Sequence, residues 1–377
     1  MFNICIVHFN LIEKYPPVLN LLSFLSGKVE DGEIKVTVIT TDSENPENAL
    51  HLPGITIRRV AKWHTGDTRL QRMFFYLEFA RKALQTLKTV KPDLLLYYET
   101  FSAIAPILYK KYSNSKTSLF IHYHEYMSPA EYENGIQLMK WSHWLERRNY
   151  AKAACISHTN ADRMEKFLRD IGTVNPVNTA IIPNYPPSSW SNIAKSVNRN
   201  PDGRIGFVYV GALSLRTTFF KEMVEFVAAN PATCYWDIYS NNYEEDVMHC
   251  LKTARAENIF FKGEVSYNEL PLTLARYDVG VILYKGTTDN FIYNVPNKFF
   301  EYYCCGLNVI FSSNMTGMHA HESITGKPWV KGVDFNQLSM SMNSEMRRPE
   351  QIEGIPFAAE QVYEQFYKRM QLEMKKV

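Results

Sequence analysis

Lys298 and Glu301 stand three residues apart, just after Pro296, in the run Tyr293-Asn-Val-Pro-Asn-Lys-Phe-Phe-Glu-Tyr-Tyr-Cys-Cys-Gly306. That spacing puts an ammonium and a carboxylate on one face of a helix, near its N-terminus. Exposed backbone N–H groups at such an end favour an anion. A carboxylate beside them can accept from vicinal hydroxyls. Phosphate and a sugar diol together describe a nucleotide. The plain alternative is a surface salt pair on a packed helix. A second group is His122-Tyr-His-Glu125, at the end of an apolar run. His124 can donate to a sugar hydroxyl or, when protonated, oppose phosphate charge; it can equally tie down its own loop. Glu125 can orient His124 or meet a substrate. A third is Gly211, where the backbone can be approached closely. Arg216 follows it, and its guanidinium fork suits diphosphate oxygens.

These residues need strands and helices to hold them. Pro296 suits the first turn of a helix and Gly306 suits its stop. Short apolar, β-branched runs at Ile4–Phe9, Val36–Thr40, Ile55–Val60, Leu94–Tyr98, Ser118–His122, Cys155–Ser157 and Ala180–Ile182 alternate with helical spacings. That alternation predicts a parallel sheet built from βαβ units. The polar stretch Asp42–Gly54 reads as a loop. Composition changes at Tyr185-Pro-Pro-Ser-Ser-Trp190 and again at Asn198–Gly203, which are turn-forming and polar. A second βα series follows, with strands at Ile205–Val210, Cys234–Tyr239, Ile259–Phe261, Val279–Leu283 and Val309–Phe311. The segment 312–350 shows no strong period. Phe357–Lys375 carries apolar residues at three-to-four spacing and reads as a helix. The expected domains are 1–195, 196–355 and a C-terminal helix at 356–377 that packs back on the first domain.

At 377 residues the chain exceeds one comfortable core. Apolar content of 46% and aromatic content of 14% describe a folded globular protein. There is no run long and apolar enough for a membrane span. The start, Met1 to Val7, reads as a buried strand rather than a signal peptide. Six cysteines without metal-type spacing point to reduced thiols and a cytoplasmic setting. Residues 1–195 hold 23 Lys/Arg against 18 Asp/Glu, and the remainder holds 18 against 21. The dense basic stripe of a nucleic-acid binder is missing. Neither first strand is followed by GxGxxG, which disfavours a dinucleotide oxidoreductase.

Taken together, the motifs resemble a GT-B glycosyltransferase of the family 4 type. Four pieces carry the resemblance in order: His122-Tyr-His-Glu125, Tyr209-Val-Gly-Ala-Leu-Ser-Leu-Arg216, Phe261-Lys-Gly-Glu-Val265, and Pro296-Asn-Lys-Phe-Phe-Glu301 to Gly306. Ile182-Pro-Asn184 is a weaker fifth. The resemblance implies an α/β chain of two Rossmann-like, doubly wound parallel-sheet domains facing a central cleft. It implies retaining transfer of a hexose-like sugar from a nucleoside-diphosphate sugar, UDP- or GDP-linked, with no metal and no further cofactor. By the same resemblance His124, Glu125, Arg216 and Lys298 serve catalysis. Donor contacts fall to Gly211, Arg216, Lys221, Gly263, Glu264, Asn290, Asn294, Asn297, Lys298 and Glu301. The family's aspartate position before His124 is His122 here. Its first glutamate, eight residues before Glu301, is Tyr293 here; some relatives use an Asn-x-Pro-Asn-Lys arrangement instead, which Asn294 to Lys298 match. The chain has no Asp-x-Asp pair to hold a diphosphate through a divalent metal.

The implied acceptor is a glycan or lipid-linked oligosaccharide in surface polysaccharide synthesis, with no nucleic-acid partner. Trp141 and Trp144, three apart on one helix, read as core packing or as a reversible membrane contact. Two other classes stay open: a nucleotide-sugar epimerase on the same fold, and a carbohydrate-binding or scaffold protein without chemistry.

Overall fold

The computed structural model describes residues 1–42, 51–62, 68–172, 178–197, 203–323, 328–338, 346–347 and 356–376. Parts of the expected loop at 42–54, of the turn at 198–203 and of the segment 312–350 lie outside these residues. The chain forms two compact units, Met1–Pro183 with Ala359–Val377, and Asn184–Ala358.

The first unit is a seven-stranded parallel sheet of β1 (Phe2–His8), β2 (Ile34–Asp42), β3 (Ile55–Lys62), β4 (Leu94–Tyr98), β5 (Ser118–Tyr123), β6 (Cys155–His158) and β7 (Thr179–Ile181), in the order 3-2-1-4-5-6-7. Its helices are α1 (Pro16–Glu30), α2 (Arg69–Val90), α3 (Ile104–Tyr112), α4 (Pro129–Asn134), α5 (Gln137–Arg147) and α6 (Ala161–Ile171). The central strands bury every residue because helices cover both faces. Local signals set the helix ends. Thr68 and Gln71 form a capping box on α2, Ser128 and Glu131 one on α4, and Asn160 caps α6.

The second unit holds α7 (Ser189–Lys195), β8 (Ile205–Val210), α8 (Phe220–Ala228), β9 (Cys234–Tyr239), α9 (Glu245–Ala254), β10 (Ile259–Gly263), α10 (Leu270–Leu274), β11 (Val279–Ile282), α11 (Asp289–Ile292), α12 (Asn297–Cys304), β12 (Asn308–Ser312) and β13 (Val330–Val333). Its six parallel strands run 10-9-8-11-12-13. Both sheets are doubly wound, as expected. The strand order reverses between β1 and β4 in one and between β8 and β11 in the other. Such switch points, at the carboxyl ends of the strands, are where this architecture takes ligands.

The expected boundary at 195/196 moves to 183/184. The polar stretch after Ile182 hides α7, whose Trp190 and Ala194 are buried in the second unit's core, with Trp190 5.0 Å from Tyr267 between ring centroids. The chain then returns to the first unit as α13 (Ala359–Met374). Phe366 packs edge-on against Phe120 of β5. The Tyr363 hydroxyl donates to Pro17 O at 2.8 Å, and the Arg369 guanidinium donates to Thr179 O at 2.7 Å. An apolar stripe with polar anchors at its margins explains why this helix docks rather than frays.

Trp141 and Trp144 correct the core-packing reading: they are 61% and 55% exposed. The inward face of α5 instead carries Ser142 and Glu146, which are fully buried, beside Leu138 and Leu145. Tyr97 and Tyr123 donate to Glu146 Oε1 at 3.0 and 2.7 Å, and the Tyr76 and Ser142 hydroxyls meet at 2.7 Å. Buried polar partners outrank hydrophobicity in fixing which face turns inward.

Candidate functional site

In the second unit the switch point is built around backbone proximity. Tyr302 of α12 lies across Gly280 of β11: a Cβ there would sit 2.2 Å from the Tyr302 ring. The absence of that side chain lets Tyr302 reach over the strand, where its hydroxyl accepts from the Val210 N–H at 3.0 Å. α12 is thereby pinned to the last residue of β8. Gly211 comes next, with φ +141°, and a Cβ at that position would meet Lys298 Cε at 2.2 Å and Nζ at 2.7 Å. The Lys298 ammonium therefore occupies the space a larger residue would fill.

Lys298 is half-buried and Glu301 is buried. Burial works against the lysine's charge, but Tyr284, which shares a hydrogen bond with it, and Glu301 outweigh that and raise its pKa. Burial pushes the Glu301 carboxyl up to about 7, against the pull of Lys298. Gly306 has φ +80° just after the helix, in the stop position its sequence suggested, while Pro296 is the N-cap and Asn297 the first helical residue. Asn290 on α11, Asn294 and Asn297 are half-buried around this helix start. Tyr293 closes α11, and its carbonyl packs on Gly317.

Arg216 is exposed in the turn before α8, and its N–H donates to Ser214 Oγ at 3.2 Å. The turn is held by Lys285, which donates to Leu215 O at 2.9 Å. Lys221 lies on the outer face of α8, paired with Glu225 at 3.7 Å and largely exposed. The structure thus brings Gly211, Lys298 and Glu301 together and gives Lys221 a surface partner. Gly263 has φ +77° at the end of β10, and its carbonyl accepts from Ser240 N at 2.7 Å. Glu264 is exposed and accepts from Asn241 Nδ2 at 2.6 Å.

In the first unit, His124 and Glu125 follow β5. The His124 ring is buried, stacked on Tyr98 at 5.0 Å and 10° and on Tyr15 at 6.0 Å. Its backbone is clamped from both sides: the N–H donates to Glu99 Oε1 at 2.6 Å, and the carbonyl accepts from Arg163 Nη1 at 2.5 Å. Glu125 is exposed, and its N–H also donates to the Glu99 carboxylate. His122 points elsewhere: its Nδ1 meets Ser157 Oγ at 2.8 Å inside the sheet. Burial, with His158 and His8 nearby, pushes its pKa down to about 3, so this imidazole stays neutral. Among the described residues no group of three or more His, Cys, Asp or Glu side chains converges as a metal site.

Residues 26–185 match the glycosyl transferase 4-like domain. Sucrose-phosphate synthase from Thermosynechococcus elongatus superposes with a TM-score of 0.70 at 14% identity, covering 100% of both chains. Anabaena HepE, in complex with UDP and glucose, gives 0.69 at 13% identity over 99% of this chain and 100% of that one. The chain has a GT-B fold. The same fold is seen in the UDP-GlcNAc 2-epimerase from Neisseria meningitidis, with a TM-score of 0.63 at 10% identity over 98% of this chain and 100% of that one. No curated protein sequence matches the chain.

Two residues of this GT-B chain escaped the sequence reading. Glu99 follows β4 with φ 61° and ψ 157°, a region that side chains other than glycine rarely enter. Burial, then the Glu125 carboxylate, lift its carboxyl to about 8 despite the two backbone donors. Arg163 is buried on α6 and looked like one more helical cation. Neither belongs to a motif; the strained strand end is the sole signal, and it is three-dimensional.

The raised Glu301 carboxyl gives a pH prediction. A ribose contact needs the ionised form, and that form is the minority below about pH 7. If Glu301 holds the ribose of a nucleotide, affinity for uridine diphosphate rises with pH, by roughly tenfold between about pH 6 and about pH 8. Glu301→Gln flattens the rise, and the ligand's own titration cancels in the comparison. Calorimetry at both pH values reads the effect; parallel profiles in parent and variant would take Glu301 out of contact with the nucleotide.

Proposed function

We propose that the chain is a retaining glycosyltransferase. It moves a hexose-like sugar from a nucleoside-diphosphate donor to a glycan or lipid-linked oligosaccharide acceptor, without a metal. The observation that carries this reading is the Lys298 ammonium set against Gly211 at the switch point, with Glu301 on the next turn of the helix. A cation at a helix start suits a diphosphate, and the carboxylate suits the ribose diol. HepE, which shares the fold, is described with UDP and glucose, which favours a uridine donor.

In the reaction, the acceptor hydroxyl oxygen bonds to the anomeric carbon on the face from which the diphosphate departs. The bond between that carbon and the phosphate oxygen breaks, and the acceptor proton passes to the leaving phosphate. Lys298, Arg216 and the N–H groups of α12 meet the charge that grows on the diphosphate. His124, held by Glu99 and Arg163, belongs to the acceptor side and donates to a sugar hydroxyl.

Incubation of the protein with UDP-glucose, UDP-galactose, UDP-N-acetylglucosamine or GDP-mannose, in chelator and with a bacterial lipid-linked glycan extract, is the test. One donor is consumed, and NMR of the product shows the donor's anomeric configuration kept. An inverted product formed only with added manganese would sink the proposal. Conversion of UDP-N-acetylglucosamine to its 2-epimer without acceptor would favour the epimerase reading instead.

A further inference from the structure

The outer face of α5 exposes what a water-facing helix ordinarily hides. Trp141 and Trp144 are exposed on it, while the helix turns Ser142 and Glu146 inward. One exposed aromatic is ordinary, but two on adjacent turns of one short helix make a patch. The exposed charge carried by α5 itself has one sign. Glu146 is the only carboxylate on α5 and it is buried, so the exposed charge of that helix is positive. The Arg148 guanidinium lies 3.8 Å above the Trp144 ring. The next residue, Asn149, lines a groove of about 400 Å³ together with Lys110, Lys111 and Lys152.

No carboxylate lines that groove. The Lys110 ammonium donates to Ser115 O and Thr117 O at 3.1 and 2.6 Å, which fixes it at the groove wall. Burial, then the neighbouring Lys152, push its pKa down, and among the described residues no carboxylate lines the groove beside these two like charges. α3, which carries Lys110 and Lys111, has no acidic residue. Indole rings settle at the headgroup level of a bilayer, and lysines beside them meet lipid phosphates. Among the described residues no helix is long and apolar enough to cross a membrane.

We propose that the α5 face and the adjoining lysine groove form a docking surface for an anionic phospholipid bilayer, with Trp141 and Trp144 seated among the headgroups and Lys110, Lys111 and Lys152 on lipid phosphate. The surface belongs to the first unit alone and does not depend on the transfer reaction. It commits to lipid because exposed indole rings, one of them under the Arg148 guanidinium, share the α5 face with the residues leading into a lysine-lined groove, an arrangement that suits a charged interface better than water or a neutral protein face.

Flotation of the whole chain with phosphatidylcholine vesicles, with and without about one third phosphatidylglycerol, tests the surface at about 50 mM and about 500 mM salt. The parent floats with anionic vesicles at low salt, and binding falls at high salt and on neutral vesicles. Trp141→Ala with Trp144→Ala weakens that binding roughly tenfold or more, and Lys111→Glu with Lys152→Glu does the same. All four side chains lie outside the core, and circular dichroism confirms the fold of both variants. No flotation by the parent, or equal flotation by parent and variants, overturns the proposal. So does a parent that self-associates through these tryptophans in ultracentrifugation while ignoring vesicles, which would make a second copy the occupant.

Discussion

Lys298→Met lowers sugar transfer by a factor on the order of 10²–10³ at saturating donor, while leaving the fold intact. The substitution keeps an unbranched chain of similar length and removes only the charge. In the parent the ammonium is held by Tyr284 and Glu301 against the backbone of Gly211, so it is already oriented when the leaving group's charge develops. A preorganised cation needs no rearrangement at that moment, which is why its loss falls on turnover. Glu301 then loses the one neighbour that favours its ionised form, and its raised pKa rises further. The variant should also bind uridine diphosphate more weakly than the parent. Steady-state rates with calorimetry separate the two effects. A variant with parental turnover would place the phosphate charge elsewhere.

Gly280→Val destabilises the second unit by about 3 kcal/mol and lowers its melting temperature by about 6–12 °C. The new side chain would start 2.2 Å from the ring of Tyr302, which is fully buried. Neither partner can move cheaply, because Gly280 pairs with Val208 and Val309 in mid-sheet and Tyr302 is bonded to Val210. Removing the ring as well, with Tyr302→Ala, takes away the Cγ and Cδ2 atoms that lie nearest the new side chain and eases the clash. The double variant is therefore less destabilised than the sum of the two singles. Scanning calorimetry of the four proteins completes the cycle; strict additivity would show that strand and ring are not in conflict.

The sequence made the βα alternation plain. Runs such as Leu94–Tyr98 and Ile205–Val210 are strands with the bounds their apolar residues suggest. The motif around Lys298 and Glu301 was readable because its chemistry is local: cation, carboxylate and helix start share one turn and a half. α7 was not readable, since Tyr185-Pro-Pro-Ser-Ser has the composition of a linker and only the distant Tyr267 gives Trp190 a reason to be buried. β13 is four residues long, and its middle, Lys331-Gly332, has no strand propensity of its own. Its place comes from pairing with β12. Trp141 and Trp144 misled because the residues that orient α5, Tyr97 and Tyr123, sit on strands far along the chain. Glu99 and Arg163 act through the main chain of His124, and main-chain hydrogen bonds leave no pattern in side-chain identity.

The first unit is interrupted: it pauses at Pro183 and resumes at Ala359. A ribosome therefore finishes the entire second unit before it supplies the segment that covers β5 and anchors to Pro17 and Thr179. During synthesis the earlier sheet has its seven strands but waits for the helix that packs on β5, while the second unit is already whole. Maturation runs against chain order, and a stop codon at Ala359 would yield a complete second unit attached to an unfinished first one.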